Sequence, residues 1–407
     1  MKLLHTSDWH LGRALYGRKR NDEFSHFLTW MIDTLFSEKI DVLLIAGDIF
    51  DTTTPSNWAQ NLYYQFLTNV QKTGCRHVII TAGNHDSATF LEAPAGILKT
   101  MNIHVIGSIN DDYKKEIISI PGPNGETQLI VCAVPYLRER DIRFASPGET
   151  VEEKSIKLVQ GIQKHYEEVV GHALNMQRES QTKIPIIAMG HLFAAGGQSV
   201  TGDGVRELYV GSLAHVPASI FPVEIEYLAL GHLHSSQLVA KNESRRYCGS
   251  PLPMSFAEGT KPKEIVLVDC DHQIQTISTI NIPCFQRLES LSGNMDELRS
   301  HIEHLKNEDC SIWLEIKYNG QEIVSSLQED MRQAVAGSKL EILRIVNTRI
   351  IESVLTNETS QETLEQLSVE EVFERCLSQN DITGKQHNEL TLRFIQAVDL
   401  LQQHEKD

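Results

Sequence analysis

Short apolar runs recur along the chain, and polar residues follow each of them directly. The runs cover residues 2–6, 41–46, 77–81, 184–189 and 224–230. Runs of this length with turn residues at their ends predict buried strands. Apolar residues at helical spacing within 24–35 and 58–70 predict helices that pack on a sheet. This alternation predicts an α/β fold.

The polar residues after the five runs are carboxylates, one amide and histidines: Asp8, His10, Asp48, Asn84, His191, His232 and His234. An open α/β sheet places its site outside the carboxyl ends of its strands, so we expect these side chains to converge. The set is too large for one ion. Mixed nitrogen and oxygen ligands favour two divalent ions of the Mn, Fe or Zn type over Ca or Mg. No cysteine belongs to the set, which argues against a structural zinc site.

Taken singly, each of these residues also has an ordinary structural explanation. Asp8 or Asp48 could cap a helix, Asn84 could be a turn residue, and one histidine could be a hydrogen-bonded core residue. The recurrence after every one of the five runs favours a metal site.

Composition limits how nucleic acid could bind. The chain has 407 residues, 41% of them hydrophobic, which is enough for a large core and more than one domain. Its formal net charge of −17 argues against a broadly basic binding surface. Two local basic clusters could contact a phosphate backbone or could be solvated surface: Arg13, Arg18, Lys19 and Arg20, and then Arg138, Arg140 and Arg143.

Cysteine usage and the N-terminus bear on the cellular compartment. The seven cysteines are scattered and include no Cys-x-x-Cys pair, so we expect neither a disulfide framework nor a zinc ribbon. The chain begins with a predicted strand rather than a signal segment, and no apolar run reaches membrane-spanning length. We therefore expect a cytoplasmic protein with no membrane association.

The later part of the chain predicts further structural parts. Residues 150–175 predict a long helix, and the strand-like segments after residue 224 predict a second sheet packed on the first. Strands at 312–318 and 340–346 with a helix at 323–335 predict a small α+β module. A capping box at Ser368 and Glu371 and two apolar stripes predict a C-terminal helix pair that needs a partner to cover it. The predicted domains are 1–283, 284–350 and 351–407.

The ordered blocks Asp8-x-His10, Gly47-Asp48, Gly83-Asn84-His85-Asp86, Gly190-His191 and Gly231-His232-x-His234 resemble the calcineurin-like metallophosphoesterases. The sequence segments 5–12, 46–51 and 247–253 resemble the bacterial SbcD family of nuclease subunits. This family is related to archaeal and eukaryotic double-strand-break repair nucleases. The resemblance is strong over about the first two-thirds of the chain and looser beyond, through residues 367–373. One block alone is a weak signal, whereas the ordered set is specific.

The resemblance implies a four-layer α-β-β-α sandwich with a small capping domain and a C-terminal helix pair. It also implies ligand roles: Asp8, His10 and His234 for a first ion, Asn84, His191 and His232 for a second, and Asp48 bridging them. Two divalent ions, with Mn²⁺ expected, would serve phosphodiester hydrolysis. His85 is the implied general acid, with Asp86 expected to orient its ring.

One position departs from the relatives. Archaeal and eukaryotic relatives carry histidine where this chain has Asp51, so the resemblance implies no second catalytic histidine. Residues 249–251 are expected to shape the rim of the site or to form a turn after a strand.

Three functions follow as hypotheses. The resemblance implies a Mn-dependent nuclease that acts on double-stranded DNA ends and hairpins in DNA repair and recombination. Its implied partner is an SbcC-like SMC ATPase bound at the C-terminal helix pair, with a homodimer inside a heterotetramer. The first alternative is a metallophosphatase acting on nucleotides or phosphoproteins, which could use the same site. The second is a non-catalytic scaffold, which would have no need of a full ligand set.

Overall fold

The computed structural model describes residues 1–143, 148–180, 183–194, 216–320 and 326–347, together with Phe373, Leu377, Leu390, Thr391 and Phe394. The strands in chain order are β1 Lys2–Thr6, β2 Ala14–Leu15, β3 Arg18–Lys19, β4 Val42–Ala46, β5 His77–Thr81, β6 Ile103–Ile106, β7 Ile117–Pro121, β8 Thr127–Ala133, β9 Ile186–His191, β10 Tyr227–Gly231, β11 Gln237–Val239, β12 Asn242–Tyr247, β13 Lys263–Cys270, β14 Ile274–Ile282, β15 Arg287–Gly293, β16 Ile312–Tyr318 and β17 Leu340–Asn347. The α-helices are α1 Asn21–Ser37, α2 Asn57–Val70, α3 Ala88–Glu92, α4 Ala95–Lys99, α5 Glu139–Ile142, α6 Val151–Glu179, α7 Met295–Lys306 and α8 Leu327–Val335. Two compact units divide the chain, Met1–Leu288 and Glu289–Asp407.

The first sheet has the strand order β14-β13-β1-β4-β5-β6. Strands β1, β4, β5 and β6 run parallel, as continuous apolar strands covered on both faces do. All residues of β4 and β5 are buried. The register pairs Thr6 with Ile45 and Ala46 with Thr81, so three of the strands end at nearly the same level. The turns that follow them are therefore neighbours.

The second sheet has the order β11-β12-β10-β9-β8-β7. Its central strands β8, β9, β10 and β12 are parallel, and Gly231 pairs with His191 at the ends of β10 and β9. The expectation that the strands after residue 224 form this sheet is wrong for β13 and β14. They return to the first sheet, where β13 pairs antiparallel with β1. That pairing joins segments far apart in sequence, which local patterning does not encode.

Three apolar clusters show how the first unit is layered. Phe27 and Met31 of α1 and Phe66 of α2 pack on one face of the first sheet. A second cluster joins the inner faces of the two sheets, for example Leu44 with Ala229. The third packs α6 against the second sheet. The sequence prediction of an α/β fold is confirmed.

The long helix α6 begins with a capping box in which Thr150 and Glu153 bond each other's backbone N–H groups. Leu158 and Ile162 lie one helical turn apart on its buried face, while the opposite face is charged. The predicted helix at 150–175 is thus present and slightly longer.

The second unit contains the three-stranded sheet β15-β16-β17, with β16 and β17 parallel. Helices α7 and α8 pack on this sheet through Leu298, Ile302 and Met331. The predicted helix at 323–335 is present from Leu327, and residues 321–325 lie outside the described part. The predicted helix pair at 351–407 also lies outside it, apart from five residues, of which Phe373 and Phe394 stack at a centroid distance of 4.0 Å.

Two remaining expectations concern the membrane and the thiols. Within the described ranges, no helix is both long and apolar enough to cross a bilayer. Six cysteines are described, and each is a free thiol.

Candidate metal centre

The turn after β1 and the turn after β4 are joined by main-chain hydrogen bonds. The N–H of Asp8 donates to the carbonyl of Gly47 at 3.0 Å, and the N–H of His10 donates to the carbonyl of Asp48 at 3.0 Å. The N–H of Leu11 donates to the carbonyl of Ile49 at 2.9 Å. These bonds fix the two turns against each other at the carboxyl edge of the sheet, where an α/β fold presents its site.

Four of the sequence-predicted residues hold a backbone conformation that side-chain-bearing residues rarely adopt. Their φ angles are positive: 52° at Asp8, 48° at His10, 50° at Asp48 and 102° at His232. Such conformations cost about 1–3 kcal/mol each and persist where the surroundings impose them, frequently at functional sites. Here they aim side chains from separate turns towards one point.

The first group of candidate ligands lies between β1, β4 and the turn after β10. Ligand atoms of Asp8, His10 and His234 all lie within 4.8 Å of one another. The Nε2 atoms of His10 and His234 are 3.1 Å apart, and Oδ2 of Asp48 lies 3.6 Å from Nε2 of His10. The structure thus brings four of the predicted residues together, all of them buried.

The second group adjoins the first and shares Asp8 and Asp48 with it. Asp8, Asp48 and His191 form another set within 4.8 Å. Nε2 of His191 lies 3.2 Å from Oδ2 of Asp48 and 2.9 Å from Oδ1 of Asn84. His232 is outside these tightest sets, but its ring centroid is 5.4 Å from that of His191. Its backbone N–H donates to Oδ1 of Asp8 at 2.8 Å.

The donor set fits divalent cations. Two imidazole nitrogens lie 3.1 Å apart with a carboxylate oxygen beside them, so either one nitrogen donates a hydrogen bond to the other or both lone pairs can face one cation. Within the described part of the chain, Nε2 of His232 is buried and has no hydrogen-bond partner. A buried polar atom is costly without a partner, and a cation would supply one. Imidazole and carboxylate ligands suit Mn²⁺, Fe²⁺ or Zn²⁺.

Burial and neighbouring charges shift the pKa values of these side chains in opposite directions. Burial raises the pKa of Asp8 to about 6. Burial also acts to raise the pKa of Asp48, but the adjacent His191 and His10 bring it well below its ordinary value. Burial opposes protonation of His191, yet the Asp48 and Asp8 carboxylates raise its pKa to about 9.

The pKa values of the two histidines after β10 are lowered, in contrast to that of His191. Burial and the charge of His191 lower the pKa of His232 to about 3. Burial and the charge of His10 hold the pKa of His234 well below its usual range. Both rings are therefore neutral at pH 7 and have a nitrogen lone pair available for a cation.

His85 lies beside the ligand groups in the turn after β5. Its backbone N–H donates to Oδ1 of Asp48 at 2.8 Å, and its ring centroid is 4.7 Å from that of His10. Ring Nδ1 lies 2.8 Å from the main-chain carbonyl oxygen of Asp51. The acceptor on Nδ1 is thus that carbonyl, and the expectation that Asp86 orients the ring is wrong.

Asp86 joins two turns instead. Its Oδ2 accepts hydrogen bonds from the N–H groups of Gly83 at 2.9 Å and Ile49 at 3.1 Å, and its Oδ1 accepts from Phe50 at 3.0 Å. The buried carboxylate therefore links the turn after β5 to the turn after β4. Its place in the Asn-His-Asp block was visible in the sequence, but its partners were not.

Glycines allow the turns to approach this closely. A Cβ added to Gly83 would overlap the side chain and backbone nitrogen of Asp48. A Cβ at Gly47, whose φ is +83°, would overlap the ring of His191. Close backbone approach is the physical reason for glycine at these two positions.

The main-chain carbonyl of His234 accepts hydrogen bonds from the segment after β12 and from β13. It accepts the N–H of Ser250 at 3.1 Å and the ammonium of Lys263 at 2.9 Å. Lys263 also contacts Glu258. Of residues 249–251, Ser250 thus contacts the backbone of a candidate ligand. Sequence reasoning missed Lys263 because nothing in its local pattern marks it.

Each of the two basic clusters contains an arginine that is paired with acidic side chains of the same protein. Arg20 is buried, pairs with Glu23 at 2.6 Å and donates to the carbonyl of Pro253 at 2.6 Å. Arg143 pairs with Glu139 and with Glu149. The hypotheses for these two residues, a backbone contact or a solvated surface, are therefore wrong, and both residues are structural.

Comparison with protein families matches residues 1–236 to the family described as calcineurin-like phosphoesterase. Residues 284–381 match the family described as type 5 capsule protein repressor C-terminal domain. Among curated proteins, the SbcD subunit of nuclease SbcCD from Escherichia coli (strain K12) is 33% identical over 404 residues, which is 98% of each chain.

Two further relatives match a shorter part of the chain. The SbcD subunit of nuclease SbcCD from Rhodobacter capsulatus is 34% identical over 275 residues, and that of Bacillus subtilis (strain 168) is 34% identical over 271 residues. Both alignments cover 66% of this chain and of the relative. These matches confirm the resemblance and the expected class of metal-dependent phosphoesterase. The chain belongs to the calcineurin-like phosphoesterases and, within them, to the SbcD family of nuclease subunits.

Proposed function

We propose that this protein is the nuclease subunit of an SbcC-SbcD type complex and hydrolyses phosphodiester bonds in DNA. The observation that carries the proposal is the meeting of buried carboxylate and imidazole ligands from separate turns, with His85 beside them. The names of the relatives support a nuclease as the activity. We extend the proposal to exonuclease action on double-stranded ends and endonuclease action on hairpins and single strands.

The ligand roles follow the two groups. Asp8, His10 and His234 would hold one ion, Asn84, His191 and His232 would hold a second, and Asp48 would bridge them. The distances at Asp48, 3.6 Å to His10 and 3.2 Å to His191, support the bridging role. Two Mn²⁺ ions, when bound, would neutralise the phosphoryl oxygens and activate water.

His85 would act as the general acid on the leaving oxygen. With Nδ1 placed 2.8 Å from the Asp51 carbonyl, the ring keeps its proton on Nδ1 and exchanges protons at Nε2. The side chain is buried beside His10 and forms a cluster with His10 and Asp51, apart from the two ligand groups that contain Asp8. A histidine so placed can donate a proton without holding an ion.

The rest of the chain would serve assembly. We propose a three-part division into a nuclease domain 1–283, a capping domain 284–350 and a C-terminal helix pair 351–407 that docks the SbcC-like ATPase. The name of the Escherichia coli relative, which spans 98% of this chain, supports the partner. We also propose a homodimer of nuclease domains within a heterotetramer, in the cytoplasm.

One assay tests the function against its alternatives. Purified protein with Mn²⁺ is given hairpin duplex DNA and, separately, a generic phosphodiester. Cleavage of the hairpin supports the nuclease, cleavage of the generic ester alone favours a metallophosphatase, and cleavage of neither favours a scaffold. The same assay after chelation of the metal is expected to show no hydrolysis.

A further inference from the structure

Asp51 stands at an unusual position between two histidines of the site. Oδ1 of its carboxylate lies 3.3 Å from Nδ1 of His10, and its main-chain carbonyl oxygen lies 2.8 Å from Nδ1 of His85. Ligand atoms of all three residues fall within 4.8 Å of one another. Asp51 therefore lies close to Nδ1 of both rings. Its carboxylate faces His10, and its main-chain carbonyl faces His85.

We propose that Asp51 is a positioning residue that orients His10 through its carboxylate and His85 through its backbone carbonyl. This inference rests on the proposed function, because it assigns His10 to an ion and His85 to proton donation.

His10 needs the carboxylate as its acceptor. Its Nδ1 is buried and, among the described residues, has no partner that satisfies hydrogen-bond geometry. The Asp51 oxygen is at contact distance, 3.3 Å, so a small rotation of the ring completes the bond. A proton held on Nδ1 leaves the lone pair on Nε2, the atom that faces His234 at 3.1 Å and Asp48 at 3.6 Å. Carboxylates commonly fix ligand histidines in this way.

The contact between the main-chain carbonyl of Asp51 and His85 does not depend on the Asp51 side chain. The N–H of Asp51 donates to the carbonyl of Leu11 at 3.3 Å, and Leu11 pairs with Phe50 as an isolated bridge. This pairing anchors the backbone at residues 50 and 51, directly before the peptide unit that carries the Asp51 carbonyl. A substitution at position 51 therefore removes the support of His10 and keeps that of His85.

The contact with Arg13 favours a positioning role for Asp51 over a role as a metal ligand. The Arg13 guanidinium lies 3.3 Å from the same Oδ1 that approaches His10. Two donors therefore face Oδ1 of Asp51, which leaves fewer of its lone pairs for a cation. The side chain of Asp51 is also 27% exposed, whereas the Asp48 side chain is 2% exposed.

The test measures metal binding and turnover in Asp51→Ala and Asp51→Asn. Titration with Mn²⁺ alone is expected to show an unchanged number of ions but about 10–100-fold weaker binding of one of them in Asp51→Ala. Asp51→Asn keeps an acceptor and is expected to fall between Asp51→Ala and the parent. Saturating Mn²⁺ is expected to restore most of kcat in Asp51→Ala, because the carbonyl still holds His85. Asp33→Ala, which removes an exposed carboxylate on α1, is the matched control.

Three results would overturn the inference. Equal Mn²⁺ affinity in Asp51→Ala and the parent would show that the carboxylate does not support His10. Loss of a whole equivalent of metal at any Mn²⁺ concentration would make Asp51 a ligand. A kcat that stays low at saturating Mn²⁺ would give the carboxylate a part in the chemical step. Failure of the parent itself to bind Mn²⁺ would instead refute the proposed function.

Discussion

The parallel strands of the first sheet and the turns that follow them obey different physical rules. Strands β4 and β5 consist of buried residues in regular pairing, and their contribution is apolar burial. The turns after β1 and β4 contain buried carboxylates and positive φ angles at Asp8, His10 and Asp48. The strands are arranged for stability, whereas the turns hold costly conformations that their surroundings impose and whose cost a bound cation would offset in part. Removal of a buried carboxylate charge from these turns should therefore affect function and metal-free stability in opposite directions.

The largest effect is expected for His85→Gln, which changes chemistry without touching a proposed ligand. Loss of a general acid lowers kcat by about 10²–10⁴-fold. Bound Mn²⁺ should remain at the parental level, as measured by elemental analysis beside the cleavage assay. His272→Gln, at a histidine whose side chain is 69% exposed, is the control. Loss of metal in His85→Gln would refute the acid role.

The second prediction concerns pH. Binding of both ions requires that His191, assigned to the second ion, and Asp8, assigned to the first, release their protons, and the pKa values of these groups are raised to about 9 and about 6. Between pH 6 and pH 9 one proton, from His191, must leave, so Mn²⁺ affinity should rise about tenfold per pH unit. Below pH 6 protonation of Asp8 should steepen the dependence. Calorimetric titration at several pH values measures the slope, and a flat profile would contradict the assignment of both residues.

The third prediction compares two glycines. Gly83→Ala places a methyl group on Asp48, so we expect a loss of about 1–3 kcal/mol in the free energy of unfolding, as for other overpacked sites. Mn²⁺ binding should weaken as well, because Asp48 must move. At Gly96 in α4 an added Cβ meets no atom within 4 Å, so Gly96→Ala should be neutral or stabilising. Equal denaturation midpoints for the two variants would show that the turn is not tightly packed.

The fourth prediction tests the free-energy cost of the buried Asp8 charge, an effect of a size similar to that at Gly83. The pKa of Asp8 is raised to about 6 from an ordinary 3.8, so the ionised carboxylate destabilises the metal-free protein above pH 6. Asp8→Asn removes that charge and should stabilise the metal-free protein at pH 8 by on the order of 1–3 kcal/mol. With saturating Mn²⁺ the order should reverse, because the parent gains stability from binding. Urea unfolding with and without metal measures both, and a destabilised metal-free variant would contradict this view of the turns.

The same division explains what the sequence could predict. Strands β1 and β5 lie at their predicted positions because each is a short apolar run with turn residues beside it, and β16 lies at its predicted position as well. The return of β13 to pair with β1 was missed, since pairing across the chain leaves no local periodicity.

Within the site, residue types were visible but their contacts were not. The blocks around Asp48 and His85 marked candidate chemistry, whereas the link from Asp86 to Ile49 and the carbonyl of Asp51 on His85 depend on backbone geometry. Positive φ at Asp8 and His10 was equally invisible, because non-glycine residues rarely adopt it and no sequence pattern announces it.

The most direct test of the central claim is the number of Mn²⁺ ions bound per chain, measured by equilibrium dialysis with elemental analysis in the parent and in Asp48→Asn. We predict two ions per chain in the parent and weakened binding of both in the variant, because Asp48 faces His10 and His191 at once. A parent that binds no ion or one ion, or a variant that binds two as tightly as the parent, would contradict the account.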